Sequence, residues 1–94
     1  MPKLDGLRSV LEFTAGLQPK VAGQIARKVL ALGDNPKPAD SQELAGHVGL
    51  RRVDIGEYRI VYAYMDGDDL VEVLLIGKRN DDDVYKRLRR LTGR

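Results

Sequence analysis

The chain contains no cysteine and one histidine, His47. Disulfides, thiol catalysis and thiolate metal sites are thereby excluded, and a zinc site has too few soft ligands to form. Apolar runs are too short for a membrane-spanning helix, which needs about eighteen consecutive residues. The start, Met1-Pro2-Lys3-Leu4-Asp5, lacks the basic-then-apolar order of a secretory signal. Together these absences point to a cytoplasmic protein with no membrane association. An excess of one charge is missing too, since the formal net charge is only +2. Total charge therefore says little about partners, and the distribution must be read instead.

With 94 residues, 43% hydrophobic and 32% charged, the chain is long enough for one globular domain spanning 1–94. Acidic side chains gather at Asp66, Asp68 and Asp69, and again at Asp81, Asp82 and Asp83. Basic ones gather at Arg51, Arg52 and Arg59, at Lys78-Arg79, and along Lys86, Arg87, Arg89, Arg90 and Arg94. A local positive surface can exist on such a nearly neutral molecule.

Leu4, Leu7, Leu11 and Ala15 recur at helical spacing, with Val10, Phe13 and Leu17 widening the stripe, which predicts a helix over 4–16. Pro19 suits the first turn of a second helix, and Val21, Ile25, Val29 and Leu32 mark its inner face up to Gly33. Asp34-Asn35-Pro36-Lys37-Pro38 reads as a linker, because its prolines forbid helix and sheet interior. Residues 41–49 offer at most a short turn around Glu43-Leu44. From Leu50 onward, β-branched and aromatic residues predict strands. A hairpin turning at Ile55-Gly56 would set Arg52 directly across from Arg59. It would place Arg51, Val53, Ile55, Tyr58, Ile60 and Tyr62 on one face, and Leu50, Arg52, Asp54, Glu57, Arg59 and Val61 on the other. Asp66-Gly67 is a strong turn signal, which predicts a second hairpin from 58–65 and 68–76. Asn80 or Asp81 could cap a final helix with Val84, Leu88 and Leu91 as its apolar stripe. The expected fold is α+β, an N-terminal helical hairpin packed on an antiparallel meander sheet with a short C-terminal helix.

Two arginines facing each other repel unless an anion lies between them, and guanidinium groups suit phosphate through paired N–H donors. Arg52, Arg59 and Arg79 are accordingly candidate ligands for an RNA phosphate. Taken singly, an arginine on a solvent-facing strand is ordinary surface. Tyr85 could stack on a base or simply pack a helix, and Tyr58, Tyr62 and Tyr64 read as core and sheet edge. Asp81–Asp83 reads as a helix start, and the tail from Lys86 could bind RNA phosphates or merely solvate a helix.

The ordered set Gly56-Glu57-Tyr58-Arg59-Ile60-Val61-Tyr62, then Asp66-Gly67, then Ile76-Gly77-Lys78-Arg79 followed by Asp83-Val84-Tyr85 resembles the RelE/ParE toxin superfamily, and its RelE branch in particular. That resemblance implies a ribosome-dependent endoribonuclease that cuts mRNA in the decoding site. It implies a cognate antitoxin as a partner, in a possible toxin–antitoxin hetero-oligomer, and ribosome and mRNA as the others; no cofactor is implied. It implies catalytic roles for Arg52, Arg59, Arg79 and Tyr85: Arg59 and Arg79 would clamp the scissile phosphate, Arg52 would stabilise charge, and Tyr85 would stack or orient. Arg51, Lys78, Lys86, Arg89 and Arg90 are the accompanying RNA-binding candidates. Two departures stand out. The position two before Arg52, where well-known members carry a lysine, is Leu50. The usual N-terminal strand has no evident counterpart, which would leave one sheet edge exposed. Lys78, Glu57 and His47 are the remaining candidates for a general base. The competing expectation is a ParE-like toxin that binds DNA gyrase without cutting RNA, and an inactive relative acting only with its antitoxin is a third.

Overall fold

The computed structural model describes residues 2–67, 69–79 and 83–92. The predicted caps Asn80 and Asp81 lie outside the described residues. The elements run β1 (Lys3–Asp5), α1 (Leu7–Thr14), α2 (Pro19–Asp34), β2 (Ser41–Glu43), β3 (Leu50–Ile55), β4 (Tyr58–Ala63), β5 (Leu70–Lys78) and α3 (Asp83–Thr92). Five strands form one sheet in the order β1-β5-β4-β3-β2. Strand β1 runs parallel to β5, and the other neighbours are antiparallel. The expected α+β arrangement of helical hairpin, meander and final helix is thus present.

The sheet is covered on both faces, and the alternation within strands explains how. Val53, Ile60, Tyr62, Val71, Val73 and Ile76 join Val10 of α1 and Ile25, Val29 and Leu32 of α2 in the larger core. Val61 and Leu75, on the other face, meet Leu88 of α3 and Leu44 in a smaller one. Strand β4 supplies both, so Ile60, Val61 and Tyr62 have no exposed surface. One irregularity adapts β5 to this double duty. Val61 pairs with Leu75 and Tyr62 with Val73, so Leu74 is an extra residue in a bulge. Tyr62 also donates its hydroxyl to the Pro36 carbonyl at 2.7 Å, tying the proline linker to the sheet centre.

The first helix differs from its sequence expectation. Residues 3–5 form a strand, with Leu4 paired to Val71, and the helix begins only at Leu7. Leu7 and Leu11 are 42% and 70% exposed, so of the expected stripe it is Val10 that is buried, with Phe13 and Leu17 packed against the core. Gly6 makes the switch possible. Its φ is +82°, and a Cβ there would stand 2.1 Å from the Val73 carbonyl oxygen. Strand β1 also occupies the sheet edge that the sequence had suggested was bare. The other edge is β2, where only a turn had been read; three polar residues, Ser-Gln-Glu, carry no β pattern.

The main hairpin turns at Gly56-Glu57, one residue later than expected. Ile55 pairs with Tyr58, Asp54 with Arg59, and Arg52 with Val61. Gly56 has φ +57° at the first turn position, where two-residue hairpins of this type require glycine. Arg52 and Arg59 are therefore not opposite each other. The face assignments of the paired residues survive, because the partner of each residue moves by two and strand side chains alternate with period two. Glu57, expected on the face of Arg59, lies instead in the turn and lines a cleft against α2.

Gly6→Ala should cost more than about 2 kcal/mol, from the left-handed backbone and the carbonyl clash together. Gly16→Ala, with nothing within 4 Å of the added carbon, should stay within about 0.5 kcal/mol of wild type. Urea unfolding of both variants measures the contrast.

Candidate functional site

The face of the sheet beneath α3 carries the polar cluster. Hairpin register puts Asp54 and Arg59 side by side, and the two form an ion pair through Nε and Oδ1 at 2.8 Å, with a second contact from Nη2 to Oδ2 at 3.3 Å. Across the other neighbour, Arg59 faces Gly77, which brings no side chain. Tyr85, on the first turns of α3, accepts a hydrogen bond from Arg59 Nη1 at 2.5 Å, and the guanidinium carbon lies 5.8 Å from the ring centroid. A guanidinium has five N–H donors. Asp54 and Tyr85 engage three, leaving one on each terminal nitrogen.

The electrostatics centre on Asp54. Its carboxyl is held below the ordinary value of 3.8, first by the hydrogen bond from Arg59, against the opposing effect of burial, and then by the charges of Arg59, Arg52 and Arg79. Arg59 is shifted up, chiefly by the same bond to Asp54. Three arginines thus act on one carboxylate. Arg52 is half-buried and donates from Nη2 to Gln42 Oε1 at 2.8 Å across the β2–β3 pairing. Arg79 is exposed, and its backbone N–H bonds the Glu57 carbonyl at 2.9 Å, which closes β5 against the hairpin turn.

The structure therefore brings Arg52, Arg59, Arg79 and Tyr85 together on one side. The partner facing Arg59 across the hairpin, however, is Asp54, a residue sequence reasoning assigned to the correct face but gave no role. Correct register would have revealed it.

The RNA-binding candidates divide. Lys86 and Arg89 are exposed on α3 and, with His47 and Tyr85, line an open cleft of about 360 Å³. Arg90 is exposed on the same helix. Arg51 points to the opposite face, where Nη2 donates to Ser41 Oγ at 2.8 Å. Lys78 pairs with Tyr58, so it shares the α1–α2 side of the sheet and not that of Arg59. Arg87, not singled out beforehand, is half-buried and donates from Nη1 to the Ile76 carbonyl at 3.4 Å, which helps fasten α3 to β5. Among the described residues, no group of three His, Asp or Glu side chains could hold a metal ion. No helix among them is long and apolar enough to cross a membrane.

The three base candidates separate as well. Glu57 lines a cleft against α2, with Val21, Gln24 and Ile25, away from Tyr85. Lys78 is on that same side. His47 alone of the three borders the clefts flanking Tyr85, one of them shared with Arg52 and about 370 Å³ in volume.

Comparison with known proteins fixes the family. A sequence model described as "ParE toxin of type II toxin-antitoxin system, parDE" matches residues 3–83. The chain belongs to the ParE toxin family of type II toxin–antitoxin systems. It is thereby a member of the RelE/ParE superfamily. No curated protein matches it. Among solved structures, this toxin's fold resembles that of the isolated E. coli RelE toxin, with a TM-score of 0.68 and 22% identity over 98% of this chain and 99% of that one. It also resembles a free E. coli RelE variant with two arginines changed to alanine (TM-score 0.70, 24% identity, covering 93% and 94%). The same variant in complex with an antitoxin RelB peptide gives a TM-score of 0.66 at 24% identity, covering 93% of each chain. These likenesses show a RelE fold.

Because the folded-state pKa of Asp54 lies below 3.8, the ion pair stabilises fully above the ordinary carboxylate range and fades as pH falls through the folded value. Asp54→Asn should therefore lose about 1 kcal/mol near neutral pH, the scale expected of a pair partly open to solvent. The gap from wild type should close in acid. Asp40, lowered chiefly by its bond from Lys28, titrates in both proteins and cancels in the difference. Chemical denaturation from neutral to acidic pH measures that gap.

Proposed function

We infer that this toxin is a ribosome-dependent endoribonuclease that cuts mRNA in the decoding site and so arrests translation. The observation carrying that reading is that the charges of Arg52, Arg59 and Arg79 all act on Asp54, with Tyr85 hydrogen-bonded to Arg59. RNA cleaves without a metal when its own 2′-OH attacks the adjacent phosphorus. Charge then builds on the non-bridging oxygens, and fixed guanidinium donors are suited to hold it. Arg59, gripped by Asp54 and Tyr85 with two N–H groups left over, is the clamp on the scissile phosphate. Arg79, exposed and with its charge felt at Asp54, completes that clamp and stabilises the departing 5′-oxygen. Arg52 steadies the adjoining backbone. Lys86 and Arg89 extend the positive surface along α3. Tyr85 orients Arg59 and offers one ring face to a base.

A ribosome contributes by holding the message in line, since orientation alone supplies several kcal/mol of rate enhancement. A cognate antitoxin is the second partner. The RelE structure bound to an antitoxin peptide supports this, as does membership of a toxin–antitoxin family.

A second reading is gyrase inhibition without RNA cleavage. It is favoured by the family model, which is that of ParE, and by the carboxylate of Asp54 in the middle of the arginines. The two separate in one experiment. Purified toxin added to translating ribosomes should yield mRNA cut at codon positions, and Arg79→Ala should slow cutting by about 10²–10³-fold with its circular dichroism unchanged. Intact mRNA together with inhibited gyrase supercoiling would establish the second reading instead.

A further inference from the structure

We propose that His47 is the catalytic base of this site, the group that removes the 2′-hydroxyl proton. The inference rests on the nuclease reading above. It begins with the loop that carries the histidine. Residues 44–50 connect β2 to β3 and are closed by three backbone hydrogen bonds: Leu44 N–H to the Leu50 carbonyl, His47 N–H to the Leu44 carbonyl, and Leu50 N–H to the His47 carbonyl, at 2.9, 3.1 and 3.1 Å. Gly46 and Gly49 flank the histidine with φ of +79° and +82°, conformations that ordinary side chains resist. Leu44 anchors one end in the smaller core and Leu50 packs against it from the other. A tether of this kind holds its apex in one place.

That apex is half-buried and lines two adjoining clefts, both bordered by Tyr85. The titratable and charged groups around it come from every neighbouring element: Glu43 of β2, Arg52 of β3, and Tyr85, Lys86 and Arg89 of α3. Among the described residues, His47 hydrogen-bonds through its backbone, and no side chain there is bonded to the imidazole. Guanidinium groups stay protonated and cannot serve as the base. Imidazole is the side chain that exchanges a proton near neutral pH. Leu50 offers no proton acceptor, and the loop it ends supplies one three residues earlier.

The step balances without a co-reactant beyond water. An imidazole nitrogen takes the 2′-hydroxyl proton as the 2′-oxygen bonds to phosphorus. The bond from phosphorus to the 5′-oxygen breaks, and that oxygen takes a proton from water. The imidazolium then returns its proton to solvent. The products are a 2′,3′-cyclic phosphate and a free 5′-hydroxyl.

Single-turnover cleavage of ribosome-bound mRNA by wild type, His47→Gln and His47→Ala tests this, with Arg79→Ala alongside. His47→Gln should cut at least about 10²-fold more slowly at saturation, with its half-saturating concentration unchanged. The dependence of the rate on pH should differ from that of wild type, and added imidazole should restore part of the activity of His47→Ala. A His47→Gln enzyme with wild-type rate and pH profile would overturn the assignment while leaving the nuclease reading intact. A loss confined to half-saturation would overturn it too. Wild-type toxin that cuts nothing would remove both readings.

Discussion

The ion pair between Asp54 and Arg59 is the contact on which the functional face depends. It joins adjacent strands through two hydrogen bonds, and Tyr85 extends it to the last helix. Two consecutive strands and a helix distant in sequence thereby agree on the position of one guanidinium. An unpaired arginine on a strand would sample many rotamers, and little of its charge would be aimed anywhere. The cost is a carboxylate beside any bound phosphate. The charges of Arg52 and Arg79 acting on the same carboxylate offset that cost, so the face remains attractive to an anion.

The two faces of the sheet divide the labour. Beneath α1 and α2 lies the larger apolar core, holding Ile25, Val29, Val53, Ile60 and Tyr62. Beneath α3, among the described residues, lies a second core of Leu44, Val61, Leu75 and Leu88, with Leu50, Leu74 and Tyr85 packed against it. The bulge at Leu74 allows β5 to serve both, and Gly77 keeps the space across from Arg59 free of a side chain.

Much of this was legible in the sequence, and the misses have physical causes. Period-two alternation put every paired hairpin residue on its proper face, and only Glu57, which falls in the turn, was assigned to the wrong one. Placing the turn one residue early moved each partner by two, which leaves the alternation unchanged while substituting Arg52 for Asp54 as the neighbour of Arg59. Pattern reading is blind to that error; only the turn geometry of Gly56 corrects it. Strand β1 is three residues long, too short to show alternation, and its Leu4 fell by chance at helical spacing from Leu7 and Leu11. Strand β2 is polar at an edge, held by backbone pairing to β3 and by Arg52–Gln42. Gathering Arg52, Arg59, Arg79 and Tyr85 needed the superfamily resemblance, because no local pattern links residues 52 and 85. Setting His47 apart from Glu57 and Lys78 needed the clefts, which only the fold defines.

The central claim is that Asp54 fixes Arg59 for chemistry and does not merely stabilise the hairpin. Single-turnover cleavage of ribosome-bound mRNA by Asp54→Asn, across toxin concentrations, tests it most directly. The account predicts a half-saturating concentration equal to or below that of wild type, since a negative charge is removed, with a maximal rate reduced by about tenfold or more as the phosphate clamp loses its alignment. A maximal rate equal to or above that of wild type would contradict it.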